Sequence, residues 1–223
     1  MATALMVRAA EVASIQTGDL ADYAEQPAPV RELIDRALQL TRMDLGYRYG
    51  SADPKKGGMD CSGTINYLLR ADGFEHVPRQ ANQMYVWAWK AGGVTAVASS
   101  RLASFEFDRL RPGDLLFWSG TYDVDREPPV THVMLYLGRL KDGGRRVMFG
   151  ASSGRRYAGR SRHGVSVFDL ELPRPGSKSR FIGYAPIPGM AERIRLAAEV
   201  AIPTAPAAAL PASAPAAPSA LSP

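Results

Sequence analysis

An α+β fold is predicted by two textures that divide the chain near residue 105, and by the tight turns of its second part. Before that point apolar residues recur at helical spacing; after it they cluster in short runs separated by Gly, Pro and Asp. Helices that precede strands with short connections imply an antiparallel sheet with the helices packed on it.

The first helix is read over residues 29–45. Val30, Leu33, Ile34, Ala37, Leu38 and Leu40 form an apolar stripe opposite Arg31, Glu32, Asp35 and Arg36, and Pro29 suits the first turn. Residues 46–58 are too rich in Gly and Pro for regular structure and read as a loop. Ile65, Leu68 and Leu69 then mark a second helix that Gly73 stops and Asp60 is placed to cap. A third spans 80–90, with Met84, Val86, Trp87 and Trp89. Strands are expected at 115–118, 133–137, 147–151, 165–172 and 181–187. The turn Arg111-Pro112-Gly113-Asp114 precedes the first of them, and Lys141-Asp142-Gly143-Gly144 separates the second from the third.

At 223 residues the chain suits one domain with tails. Residues 1–28 are expected to be an N-terminal extension, 29–188 the domain, 189–202 a C-terminal helix, and 203–223, almost wholly Ala, Pro and Ser, a disordered tail. No run of about 18 apolar residues offers a transmembrane helix, and residues 1–20, which include Glu11 and Asp19, make a poor signal peptide. A net charge of +5 implies mild attraction to anionic partners. Arg155, Arg156, Arg160 and Arg162 concentrate that charge in what reads as a flexible basic loop rather than a nucleic-acid motif.

Cys61 is the only cysteine, so no internal disulfide, four-cysteine zinc site or iron–sulfur cluster can form. Its setting at a helix start is the functional reading: unpaired N–H groups and the dipole favour the thiolate, lowering a thiol of about 8.5 to below about 7.5. The plainer alternative is a buried structural thiol. The three histidines are far apart in sequence, which disfavours a metal site. His132 opens an apolar strand on which His132, Met134 and Tyr136 share one face and Val133, Leu135 and Leu137 the other. It suits a general base; His76 and His163 read as surface residues.

Tyr47-Arg48-Tyr49-Gly50-Ser51, Asp60-Cys61-Ser62-Gly63, Pro78-Arg79, Arg111-Pro112-Gly113-Asp114-Leu115-Leu116-Phe117 and Thr131-His132-Val133 with Tyr136-Leu137-Gly138 occur in that order. Together they resemble the NlpC-type cell-wall peptidases, papain-like cysteine enzymes, over roughly residues 30–188. The resemblance implies helices packed on a five- to six-stranded antiparallel sheet, with Cys61 as nucleophile at a helix N-terminus and His132 as base. Tyr47, Asp60 and Ser62 would line the pocket for a peptidoglycan stem peptide, and Arg79 would help shape the cleft. It further implies action in the periplasm or at the cell wall, on the D-glutamyl-diamino acid bond; the reaction is expected to need no metal or cofactor, and the chain to be a monomer. A catalytically weak scaffold of the same fold and an amidase or acyltransferase on another substrate are the alternatives.

The family's third polar residue orients the base from the next strand. With Lys141 at the hairpin centre, His132 is expected opposite Gly150, which has no side chain to offer, and Ser152 is then the best candidate. Gly150-Ala151-Ser152-Ser153-Gly154 also matches a serine nucleophile elbow, but no helical stripe follows it and no Asp or Glu lies between Ser152 and His163, the only later histidine.

Overall fold

The computed structural model describes residues 11–201. The expected tail at 203–223 lies outside them. Helix α1 (Ala28–Thr41) buries Val30, Leu33, Ile34, Ala37 and Leu38, the stripe its sequence sets out. Each such aliphatic side chain contributes on the order of 1.5–3 kcal/mol. Strands β1 (Gly46–Tyr47) and β2 (Gly58–Met59) form a short parallel pair across the Gly-rich loop. Helices α2 (Cys61–Ala71) and α3 (Ala81–Lys90) follow, and then β3 (Thr95–Ala96).

The second half supplies β4 (Leu115–Ser119), β5 (Val130–Arg139), β6 (Arg146–Tyr157), β7 (Arg160–Asp169) and β8 (Arg180–Ala185). Helix α4 (Met190–Ala201) closes the described chain. The main sheet runs β3-β8-β4-β5-β6-β7, antiparallel throughout. Six strands rather than five arise because Thr95–Ala96, too short to show a period, adds to the edge of β8.

Both faces of the sheet are buried, which is why its strands read as near-continuous apolar runs. Val133, Leu135, Leu137, Phe149 and Val167 face α1 to α3. Trp118, Met134, Tyr136, Met148 and Phe168 face a second core closed by Phe107, Leu110 and Leu170. The alternation expected around His132 is the one observed. Residues before α1 also join the first core: Ile15 and Leu20 are buried, and single bridges tie Glu11 to His163 and Leu20 to Leu140.

Two sequence expectations are corrected here. Residues 155–162 are not a loop: β6 runs through Tyr157, and Ala158 and Gly159, both at positive φ (50° and 75°), turn it directly into β7. Two consecutive positive φ values are the mirror-image turn that suits a tight hairpin. The strand character was hidden because this end of the ribbon carries polar residues on both faces. His163 accordingly lies within β7, opposite Ser153.

The second correction is register. The β5–β6 hairpin turns later than Lys141, with Arg139 opposite Arg146, and an irregularity between Tyr136 and Gly138 shifts the pairing again, so Leu135 faces Phe149. Continued three residues further, that register sets Met134 level with Gly150 and His132 level with Ser152. Gly150 is therefore not across from His132. A β carbon on it would lie 2.4 Å from Met134 Sδ, so Met134 fills the space that glycine leaves.

The turn before β4 holds a buried carboxyl. Asp114 Oδ2 accepts the Arg111 N–H at 2.8 Å, and burial pushes its pKa up to about 7. Because the folded value exceeds the unfolded one of about 3.9, this carboxyl costs nothing below about pH 4, a growing penalty between about pH 4 and 7, and a constant one above that. Asp114→Asn should therefore gain on wild type by ~2–4 kcal/mol between pH 4 and pH 8, read as the difference between their urea-unfolding free energies at the two pH values.

Candidate active site

The site is built around Asp60, the N-cap of α2. Its Oδ1 accepts the Gly63 N–H at 2.6 Å and its Oδ2 the Gly50 N–H at 2.8 Å, so one carboxylate closes the helix end and fixes the preceding loop. Arg79 forks onto it, Nη1 to Oδ1 at 3.0 Å and Nη2 to Oδ2 at 2.7 Å, and also donates to Ser62 Oγ at 3.0 Å. Such a planar two-point pairing is what guanidinium does and an ammonium does not. Gly63 is required by space: a β carbon there would sit 2.0 Å from the Ser51 carbonyl, which itself receives the Asp60 N–H.

Cys61 is thus the first residue of a capped helix, as its sequence setting implies, but its titration runs opposite to the expectation. Burial pushes the thiol up to about 11, with the Asp60 charge adding to the rise. The N–H groups of Val133 and Ser62 and the Arg79 cation pull the other way without prevailing. The side chain is buried and its Sγ lies 4.0 Å from the Thr131 carbonyl, the residue before His132. The helix dipole is worth at most about 2 kcal/mol, and desolvation of a nearly enclosed thiolate outweighs it.

His132 is buried on β5, with the Trp118 ring packed edge-on at 5.6 Å. Its Nε2 accepts a hydrogen bond from Arg155 Nε at 3.3 Å. Burial and the neighbouring Arg155 charge hold the imidazole well below its ordinary pKa. Ser152 is buried level with His132, yet among the described residues the hydrogen bond to the ring comes from Arg155. Arg155 is the residue that reading the sequence passed over. A register shift between Ser153 and Arg156 turns it inward, a bulge that alternation alone does not reveal.

Two cavities meet here. Cys61 opens into one of about 350 Å³ with Tyr49, Ser62, Arg79 and Arg126. His132 opens into a larger one of about 770 Å³ with Ser152, Arg155, Arg174 and Lys178. Tyr47, Tyr122 and Thr131 border both. No hydrogen bond joins Cys61 Sγ to the His132 ring among the described residues. Of the residues expected at the site, Tyr47, Asp60, Cys61, Ser62 and Arg79 line the smaller cavity, while Tyr47 also joins His132 and Ser152 at the larger one. His76 is exposed, and no group of three or more His, Cys, Asp or Glu among the described residues is arranged to hold a metal.

Compared with known protein families, the chain matches the NlpC/P60 family across residues 44–165, more than half its length. It belongs to the NlpC/P60 family. Members are generally cysteine endopeptidases of the cell wall. A solved structure described as a novel NlpC/P60 endopeptidase from Photobacterium damselae subsp. piscicida matches over 71% of this chain and 34% of that one, at 17% identity and a TM-score of 0.28. This chain therefore spans about a third of that protein's length, and the likeness is too loose to carry an argument. A comparison with curated proteins gives no match.

Because one carboxylate satisfies the helix end, the loop and Arg79 together, Asp60→Ala should cost ~1–3 kcal/mol, chiefly for the lost N-cap and the buried donors left without an acceptor, since Arg79 is 36% exposed and solvent screens its loss. Urea unfolding checks this, and a loss under 1 kcal/mol would show that Asp60 does not organise the site.

Proposed function

We propose that this protein is a cysteine peptidase that hydrolyses an amide bond in the peptide stem of bacterial peptidoglycan, with Cys61 as nucleophile and His132 as general base. The observation that carries the reading is the placement of Cys61 at the capped start of α2, 4.0 Å from the carbonyl of the residue before His132, within an NlpC/P60 domain. His132 takes the thiol proton as Sγ attacks the scissile carbonyl. N–H groups at the start of α2 receive the developing oxyanion, and His132 protonates the leaving amine. Water, deprotonated by the same imidazole, then releases the acyl group from the thioester and restores the thiol. The D-glutamyl-diamino acid bond is the preferred target, on the family resemblance of the sequence, and the site of action is then the cell-wall side of the membrane. Tyr47 stands on the border of both cavities, where it would contact the stem beside the reacting carbonyl. Asp60 and Arg79 shape the cleft chiefly by binding each other, since their charges are mutually satisfied.

A second reading is favoured by one observation. A thiol raised to about 11 beside an imidazole whose lone pair is taken by Arg155 is poorly set for catalysis as it stands. A wall-binding protein that retains the fold without efficient turnover would look the same.

Incubating purified sacculi with wild type, Cys61→Ala and His132→Ala, then analysing fragments by mass spectrometry, separates the two. The peptidase reading expects stem fragments from wild type, none from Cys61→Ala, and a rate lower by ~10²–10⁴ for His132→Ala. Intact sacculi with all three proteins would leave the binding protein.

A further inference from the structure

Arg155 occupies an unusual place for a cation, against the ring nominated as base. Gly154, at φ 112°, and the shift in β6–β7 pairing that follows Ser153 turn its side chain in over the sheet. There its Cζ stacks 4.2 Å from the centre of the Trp118 ring, itself held edge-on by Phe181 at 5.0 Å. The guanidinium is therefore positioned by an aromatic platform rather than by a carboxylate. Among the described residues no acidic side chain forms an ion pair with it, although Glu171 is near enough to favour its charge.

A neutral imidazole has one nitrogen with a free lone pair, and the other bears the proton. While Arg155 Nε donates to Nε2 at 3.3 Å, that lone pair is committed and the ring has nothing with which to take the Cys61 proton. The family logic needs an orienting group that accepts from the imidazole and so favours the imidazolium. Arg155 does the reverse. It is a donor, and its charge opposes the charge that His132 must acquire.

We propose that Arg155 is a positioning residue that latches His132 in its neutral, non-basic state, and that a carboxylate of the substrate entering the larger cavity draws the guanidinium away and frees the base. The inference rests on the assignment of Cys61 and His132 as the reacting pair. The guanidinium's two Nη groups make no hydrogen bond to protein among the described residues, and the same cavity is lined by Arg156, Arg174 and Lys178 against Asp169 and Glu171, a surplus of cations that suits an anion. A carboxylate pairs with a guanidinium in a two-point fork that Nε2 cannot match. The other charged or titratable groups around His132 are Cys61 with Asp60 and Arg79 behind it, Tyr47 of β1 and Tyr122 of the β4–β5 loop. Cys61 and Glu171, which lines the larger cavity, also couple to the Arg155 charge; losing that cation disfavours the thiolate, so faster alkylation after exchange of Arg155 reports the freed base rather than the direct effect.

The test is the proton NMR titration of the three histidines, with iodoacetamide alkylation of Cys61 alongside. In Arg155→Met the His132 midpoint should rise by at least ~1 pH unit, and alkylation at pH 7 should quicken ~10-fold, a gain that His132→Ala in the same chain abolishes. In Cys61→Ala, which keeps Arg155, L-alanyl-γ-D-glutamyl-diaminopimelate should raise the His132 midpoint in the same direction. The same peptide with its carboxylates amidated should not. An unchanged midpoint and alkylation rate in Arg155→Met overturn the latch, and an equal response to the amidated peptide overturns release by an anion. Should Arg155→Met not fold, the peptide arm decides alone, and a midpoint unmoved by either peptide overturns the proposal. A raised midpoint with intact sacculi would leave the latch standing and remove the peptidase reading; digestion with an unmoved midpoint would do the opposite.

Discussion

The Asp60 carboxylate is the interaction on which the site depends. Four groups from three elements come to it: the Gly50 N–H from the loop after β1, the Gly63 N–H and, at 3.3 Å, Ser62 Oγ from the first turn of α2, and Arg79 from the segment before α3. Remove it and the buried Gly63 N–H and Ser62 hydroxyl lose their acceptor together with the more exposed Gly50 N–H, while Arg79 becomes a partly buried cation without a counter-charge. The same carboxylate that places Cys61 also makes the thiolate harder to form, because its negative charge lies beside the sulfur. Placement and activation conflict at this position, and the fold has given placement priority.

In the proposed reaction activation must then come from the histidine, whose environment is equally restrictive. His132 stands on a strand buried on both faces, between the Trp118 ring and the Arg155 guanidinium. Burial and the guanidinium each disfavour a charged ring. The resting state is accordingly thiol and neutral imidazole, in neighbouring cavities that share Tyr47, Tyr122 and Thr131 as a common border. The proposed reaction requires the cation to leave this pair, and the proposed entry of a substrate carboxylate would remove it.

How much of this was legible in the sequence varied with the length scale of the cause. Helices α1 to α3 and the strands around Leu116, Leu135, Phe149 and Val167 follow from periodicity because burial acts locally on side-chain alternation. The cap at Asp60 and the helix start at Cys61 follow from residue type for the same reason. Pairings fail first. The position of His132 relative to Gly150 and Ser152 depends on the hairpin turn and on one irregularity after Tyr136, each of which displaces the register without changing composition. Arg155 was missed for a related cause: a bulge reverses the direction its place in the strand would give it, and a cluster of arginines looks like solvated surface until the backbone is traced. The Cys61 titration was misjudged because helix position can be read from residue types, whereas depth of burial depends on strands some seventy residues away.

The claim underlying the account is that Cys61 is a nucleophile driven by His132. It is tested most directly by a stem peptide, L-alanyl-γ-D-glutamate, carrying a chloromethyl ketone in place of the scissile amide. The measurement is intact-protein mass spectrometry over time. The account predicts a single addition per chain, mapped to Cys61 and slowed severely by His132→Ala. No addition under conditions where simple iodoacetamide does label Cys61, or addition equally fast without His132, would contradict it.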